Sequence, residues 1–252
     1  MIRLDATTVL LQWAVGGLLF LWVTCRHRQV GIGYGWLLRI TYMIMMVSAL
    51  VVAVLTEVVI EREIIIMGAV AATTVPLLNS FLRRKEENEY LNPNLDLVAP
   101  ILGMAALVVA ALDAGGPPAL AIARTLVGAI FLGAVSDAML LGHWYLVQPG
   151  LTRAPLLQLV RLIGIIWPFE LAVLLYPTGM LSVLNGNIDD GYGGLLGWFW
   201  FACTLMTIVL VFVTRAALKE RQYSAVMAAT GLLYLAILTG FGMDLVARAT
   251  LA

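Results

Sequence analysis

Eight stretches of this chain are each about 20 residues long and almost unbroken in apolar character. That is the length an α-helix needs to cross the hydrocarbon of a bilayer, at about 1.5 Å per residue. They run approximately over Ala6–Cys25, Trp36–Ile60, Ile64–Leu82, Leu95–Leu112, Ala119–Tyr145, Pro155–Tyr176, Leu195–Thr214 and Tyr223–Ala247. Alternating polar and apolar strands are absent, so a barrel is not expected. The predicted fold is all-α, a polytopic integral membrane bundle of about eight transmembrane helices. The first run is too long for a secretory h-region and is followed by Arg26, His27 and Arg28, so it reads as a retained helix.

Composition agrees. Of 252 residues, 62% are hydrophobic and 12% charged, against about 45–50% and about 25% in soluble domains. This excludes a soluble enzyme, a nucleic-acid binder and a disordered protein. The implied partner is the lipid bilayer. The net charge is zero, so there is no bulk attraction to nucleic acid. Cys25 and Cys203 lie in or beside apolar runs and read as free thiols.

The placement of the basic residues predicts orientation, because cytoplasmic loops collect Lys and Arg. Eleven fall on one side: Arg26, Arg28, Arg39, Arg83, Arg84, Lys85, Arg153, Arg161, Arg215, Lys219 and Arg221. Four fall on the other: Arg3, Arg62, Arg124 and Arg248. A multi-pass protein of the cell (inner) membrane is therefore expected, with both termini on the non-cytoplasmic side. No loop is long enough for a soluble domain.

Eight helices divide into two sets of four in the same orientation, a parallel repeat. The halves are 1–118 and 119–252. Aligning His27 with His143 sets Gly17 opposite Gly133, and Arg39 and Arg161 then open the next helix of each half.

Charges at membrane depth carry the functional expectations, since each costs about 2.5–3.5 kcal/mol to insert. Asp137, beside Ser136, lies thirteen residues before Gly150, and Arg161 lies eleven after it. Equal depth on consecutive antiparallel helices predicts an Asp137–Arg161 ion pair. On this reading Asp137→Asn is more damaging than Asp96→Asn. His143, Trp144 and Tyr145 follow at the interface, where a histidine near a carboxylate suits proton exchange with a quinol. A quinone is the candidate ligand there. His27 and His143 form a weaker pair for a b-type haem. On the other side, Glu170 follows Pro168 in the sixth helix, and Arg124 is expected to reach down to it. Arg39 is expected to snorkel, Asp244 to lie close to the outer interface, and Glu57, Glu61, Arg62 and Glu63 to form a solvated turn.

No nucleotide-binding, zinc-protease or other catalytic motif is present. The expected function is a non-catalytic membrane subunit of a larger energy-converting complex, redox- or proton-linked, with other membrane or redox subunits as partners. The alternatives are a small secondary transporter with a site between the halves, and an assembly protein without a ligand.

Overall fold

A computed structural model describes residues 4–82 and 93–251. The basic residues Arg3, Arg83, Arg84 and Lys85 therefore lie outside the described residues. The described chain forms α1 (Ala6–Cys25), α2 (Ile32–Leu55), α3 (Ile60–Leu82), a 3-10 turn (Pro93–Leu97) leading into α4 (Val98–Asp113), α5 (Pro118–Val147), α6 (Ala154–Leu175), the short α7 (Gly179–Leu184), α8 (Leu195–Ala217) and α9 (Tyr223–Thr250). All but α7 are long and apolar enough to cross a membrane, α4 together with the turn before it. Helices are the form that lets an unbroken apolar stretch satisfy its backbone N–H and C=O groups without water.

Two helices form the centre. In α1 and α5, 61% of the apolar window is buried, against 28% in α3 and α6. Around α1 runs a ring, α1 against α2, α2 against α3, α3 against α4 and α4 back on α1. Around α5 runs a second ring with the same neighbour order, through α6, α8 and α9. The α1–α5 contact joins them, with α4 also touching α5.

Glycine makes that contact possible. A Cβ on Gly16 would sit 1.8 Å from the Ala129 carbonyl oxygen, and one on Gly133 would sit 2.1 Å from the Gly16 carbonyl carbon. The two backbones touch directly, as small residues permit between membrane helices. The adjacent Gly17 opens a different face of α1. A Cβ there would fall 2.0 Å from the ring of Tyr42, which lies across it.

Several ends are fixed by charge. Asp5 caps α1, accepting from the Thr7 and Thr8 amides at 3.1 and 3.0 Å. The expected solvated turn before α3 is corrected in part. Glu57 and Glu61 are exposed, but Arg62 and Glu63 are buried and paired at 2.7 Å, and Arg62 also meets Asp5 at 3.2 Å. The start of α3 is thereby tied to the start of α1. Asp190 organises the entry to α8. Its carboxylate accepts from the amides of Gly194 (2.8 Å), Tyr192 (3.0 Å), Leu196 (2.8 Å) and Gly197 (3.3 Å). These bonds, Gly194 foremost, hold its carboxyl below the ordinary aspartate value.

Two outcomes follow. Gly133→Ala should lower resistance to denaturant in detergent by about 1–3 kcal/mol through overpacking, whereas Gly231→Ala, with open space around it, should be neutral or slightly stabilising. Because the folded-state pKa of Asp190 is depressed, its contribution is present above about pH 3.9 and fades as pH falls through the lower folded value. Amide exchange at Leu196 and Gly197, corrected for intrinsic rates, should lose protection on acidification, and at neutral pH in Asp190→Ala.

Candidate functional site

The centre of α5 carries Asp137, which has no solvent exposure. The Tyr42 hydroxyl of α2 donates to its Oδ1 at 2.5 Å. Tyr34, about two turns earlier on α2, donates more loosely to the Asp137 backbone carbonyl at 3.4 Å. Oδ2 has no hydrogen-bond partner. Glycine places this cluster: the Tyr42 ring occupies the surface left bare by Gly17 and so reaches past α1 to α5. The carboxyl thus sits where α1 and α2 of the first ring meet α5 of the second.

The expected Asp137–Arg161 ion pair does not form. Arg161 is exposed on α6. The buried face of that helix is built from Leu156, Leu159, Val160, Ile163, Glu170 and Leu174. Rise per residue sets depth but not rotation, and Arg161 points off the face that meets α5. The partner is instead a phenol from α2.

The other residues expected near Asp137 are spent elsewhere. Ser136 is buried and donates to the Leu132 carbonyl at 2.7 Å within its own helix. Tyr145 is buried and donates to the Thr152 carbonyl at 2.5 Å, closing the turn into α6. Its own carbonyl accepts from Tyr223 at 3.1 Å. Trp144 donates to Gln148 Oε1 at 3.1 Å, with its ring 6.0 Å from that of Tyr34. His143 is exposed, with Nδ1 3.3 Å from the Tyr234 hydroxyl of α9. His27 is exposed in the turn after α1. Asp137, His143, Tyr145 and Arg161 therefore do not converge on one pocket. Among the described residues, no group of three His, Cys, Asp or Glu side chains is placed to hold a metal ion.

Charge handling elsewhere also departs from expectation. Arg39 does not snorkel. It makes a two-pronged pair with Asp96, Nε to Oδ1 at 2.9 Å and Nη2 to Oδ2 at 2.6 Å. Asp96 is thus a structural ion-pair partner, unsuited as a solvated reference for Asp137. Arg124 does not reach Glu170. It donates to the carbonyls of Val173 and Tyr176 at 2.9 and 2.8 Å, capping the end of α6. Arg153 does similar work on the α8–α9 turn, donating to the carbonyls of Glu220, Arg221 and Gln222. Glu170 is fully buried, and neither of its carboxyl oxygens has a hydrogen-bond partner.

Sequence reasoning missed Tyr42, Tyr34 and Gly17, because membrane aromatics read as packing until a carboxyl faces them. It named Asp244 and Arg248 singly but not as a pair, although their i,i+4 spacing on α9 was a usable signal. Asp244 is buried within the protein, and Arg248 Nε donates to its Oδ2 at 2.8 Å.

Comparison with protein-family models, with curated proteins and with solved structures finds no match for this chain. Its chemistry is therefore argued from the site itself. A buried carboxyl hydrogen-bonded to a phenol and facing no cation among the described residues can hold or release one proton, or accept a hydrogen bond from a ligand.

If Tyr42 is the partner, Tyr42→Phe should destabilise the protein by about 1–2 kcal/mol in denaturant titrations in detergent. Arg161→Ala should stay within about 0.5 kcal/mol of wild type. The reverse order would restore the ion pair.

Proposed function

We propose that this protein is a small proton-linked secondary transporter, with Asp137 as its working carboxyl. One observation carries the reading: a carboxyl with no exposed surface, one phenolic partner and one unpartnered oxygen sits at the seam between the two helix rings. Burying an ionised carboxylate without a cation is far more expensive than burying the neutral acid. Intramembrane ionisable groups of this kind mark proton relays and substrate paths.

The position favours transport over the other readings of the sequence. Parallel repeats place substrate and coupling-ion sites at the interface between halves. The seam here brings Gly17 and Tyr42 of one ring to Asp137 of the other. The identical neighbour order of the two rings supports an ancestral repeat with halves 1–118 and 119–252. The residues that a quinone site would use are engaged elsewhere or exposed: His143 is beside Tyr234, Tyr145 is bonded to Thr152, and Arg161 is exposed on α6. Membership of a larger redox- or proton-linked complex would employ the same carboxyl, and the test below separates the two. In this reading the chain lies in the cell membrane, the basic loops are cytoplasmic, and both termini face outward.

In proteoliposomes under an imposed pH gradient, wild-type protein should accumulate a member of a panel of labelled cations, amino acids and sugars. Asp137→Asn should reduce that uptake at least about tenfold, equivalent to about 1.4 kcal/mol or more. Uptake unchanged in Asp137→Asn would overturn the assignment. Absence of uptake by the pure protein, with recovery of proton-linked turnover only in a co-purified complex, would replace the transporter by the complex subunit.

A further inference from the structure

The half of the bundle nearer the termini holds a second buried polar cluster. Glu170 on α6 has no exposed surface, and neither oxygen has a hydrogen-bond partner. Leu171 and Leu174, one and four residues further along α6, pack in one cluster with Met243 and Ala247 of α9, the chain neighbours of Asp244 and Arg248, which brings the Glu170 carboxyl within their electrostatic reach. Those two are also buried and joined at 2.8 Å. From α1, the buried Gln12 donates through Nε2 to the Thr125 carbonyl at 2.9 Å, leaving its own Oε1 without a partner. Gly128 is the spacer. A Cβ there would lie 2.5 Å from Gln12 Nε2 and 3.0 Å from Asp244 Oδ1. Four helices, two from outside the first ring's neighbours and two along the central seam, thus bring polar groups together in the interior.

A cavity of about 20 Å³ opens beside the cluster. It is bounded by Asp5, Thr8, Arg62 and Asp113 toward the terminal face, and by Thr125 and Arg248 toward the cluster. About 10–15 Å³ suffices for one water, and the polar lining offers it partners. Arg248 therefore borders the cavity and is joined to Asp244.

We propose that Glu170 and Asp244, with Gln12 beside them and Arg248 as their fixed cation, form a second proton-binding site, served by this cavity. Charge arithmetic supports it. Within the trio of Glu170, Asp244 and Arg248, the arginine balances one carboxylate, so an ionised Glu170 leaves one net negative charge among the three, which one proton cancels. The step is hydronium plus the Glu170 carboxylate giving carboxylic acid plus water, and its reverse. Among the described residues of the elements packed on α6, Arg124 of α5 is committed to the Val173 and Tyr176 carbonyls, the free thiol of Cys203 on α8 lies against Gly242 of α9, and α7 carries no titratable side chain. The inference rests on the proton-linked reading above for its use in transport, with Glu170 acting as the outer carboxyl and Asp137 as the one at the seam.

Infrared spectra of the purified chain in lipid vesicles, taken at stepped pH in sodium chloride and again in choline chloride, test it. The acid C=O band of a buried carboxyl should vanish in Glu170→Gln, and a separate band should vanish in Asp137→Asn. The Glu170 band should shift in D₂O and ignore sodium. A spectrum unchanged by Glu170→Gln overturns the site, and a band abolished by sodium overturns the proton as its ligand. A band that keeps its proton in D₂O overturns the cavity as its route. Should Glu170→Gln fail to fold, wild-type protein carrying ¹³C-carboxyl glutamate must show an isotope-shifted acid band, and its absence overturns the site equally. Failure of the Asp137 band alone strikes the earlier reading and leaves this site standing.

Discussion

The backbone contact between α1 and α5 governs the rest of the molecule. With no side chain at Gly16 or Gly133, the helices approach until main-chain atoms touch. In lipid there is little hydrophobic gain from helix association, so close van der Waals packing carries the contact. Each helix is also a corner of its own four-helix ring, and the contact locks the rings together. The next residue, Gly17, converts the same closeness into a polar site by admitting the Tyr42 ring between the halves.

Buried charge is treated in distinct ways across the bundle. Some groups are paired: Arg39 with Asp96, Arg62 with Glu63 and Asp5, and Arg248 with Asp244. Removing one partner of such a pair strands the other and costs about 3–5 kcal/mol when fully buried. Arg124 is turned to backbone carbonyls at the end of α6, as is the half-exposed Arg153 at the α8–α9 turn, and both bind segments together. Asp137 and Glu170 belong to neither class, since each keeps carboxyl oxygens without hydrogen-bond partners inside the protein. Among the described residues, the other buried charges are met by pairing or by backbone carbonyls, which sets these two carboxyls apart. They stand on α5 and α6, consecutive helices of one ring.

The contrast between Arg161 and Tyr42 explains how far residue spacing reaches. Counting from the Gly150 turn gives Arg161 a depth, and depth follows from a constant helical rise. Rotation about the helix axis depends on which neighbours each helix has, and α6 turns Leu159, Val160 and Ile163 inward instead. Tyr42 was invisible for the complementary reason. It is far from Asp137 in sequence, and only the stacking of α2 on α1 brings its hydroxyl across Gly17. Arg124 and Arg39 show the same limit, since an arginine's choice among a carboxylate, a carbonyl and the interface depends on what lies within a few ångströms.

The sequence by itself determined the membrane-spanning helices, because apolar runs about 20 residues long must satisfy their own backbone in a solvent without hydrogen bonds. It located α1 and the starts of α8 and α9 to the residue, and singled out Asp137 and Glu170 as charges too deep to be incidental. Tertiary structure alone decided which residues answer them. Helix formation is local and periodic, whereas pairing across helices depends on their azimuth and closeness. Both were set by glycines whose importance lies in the side chains they lack.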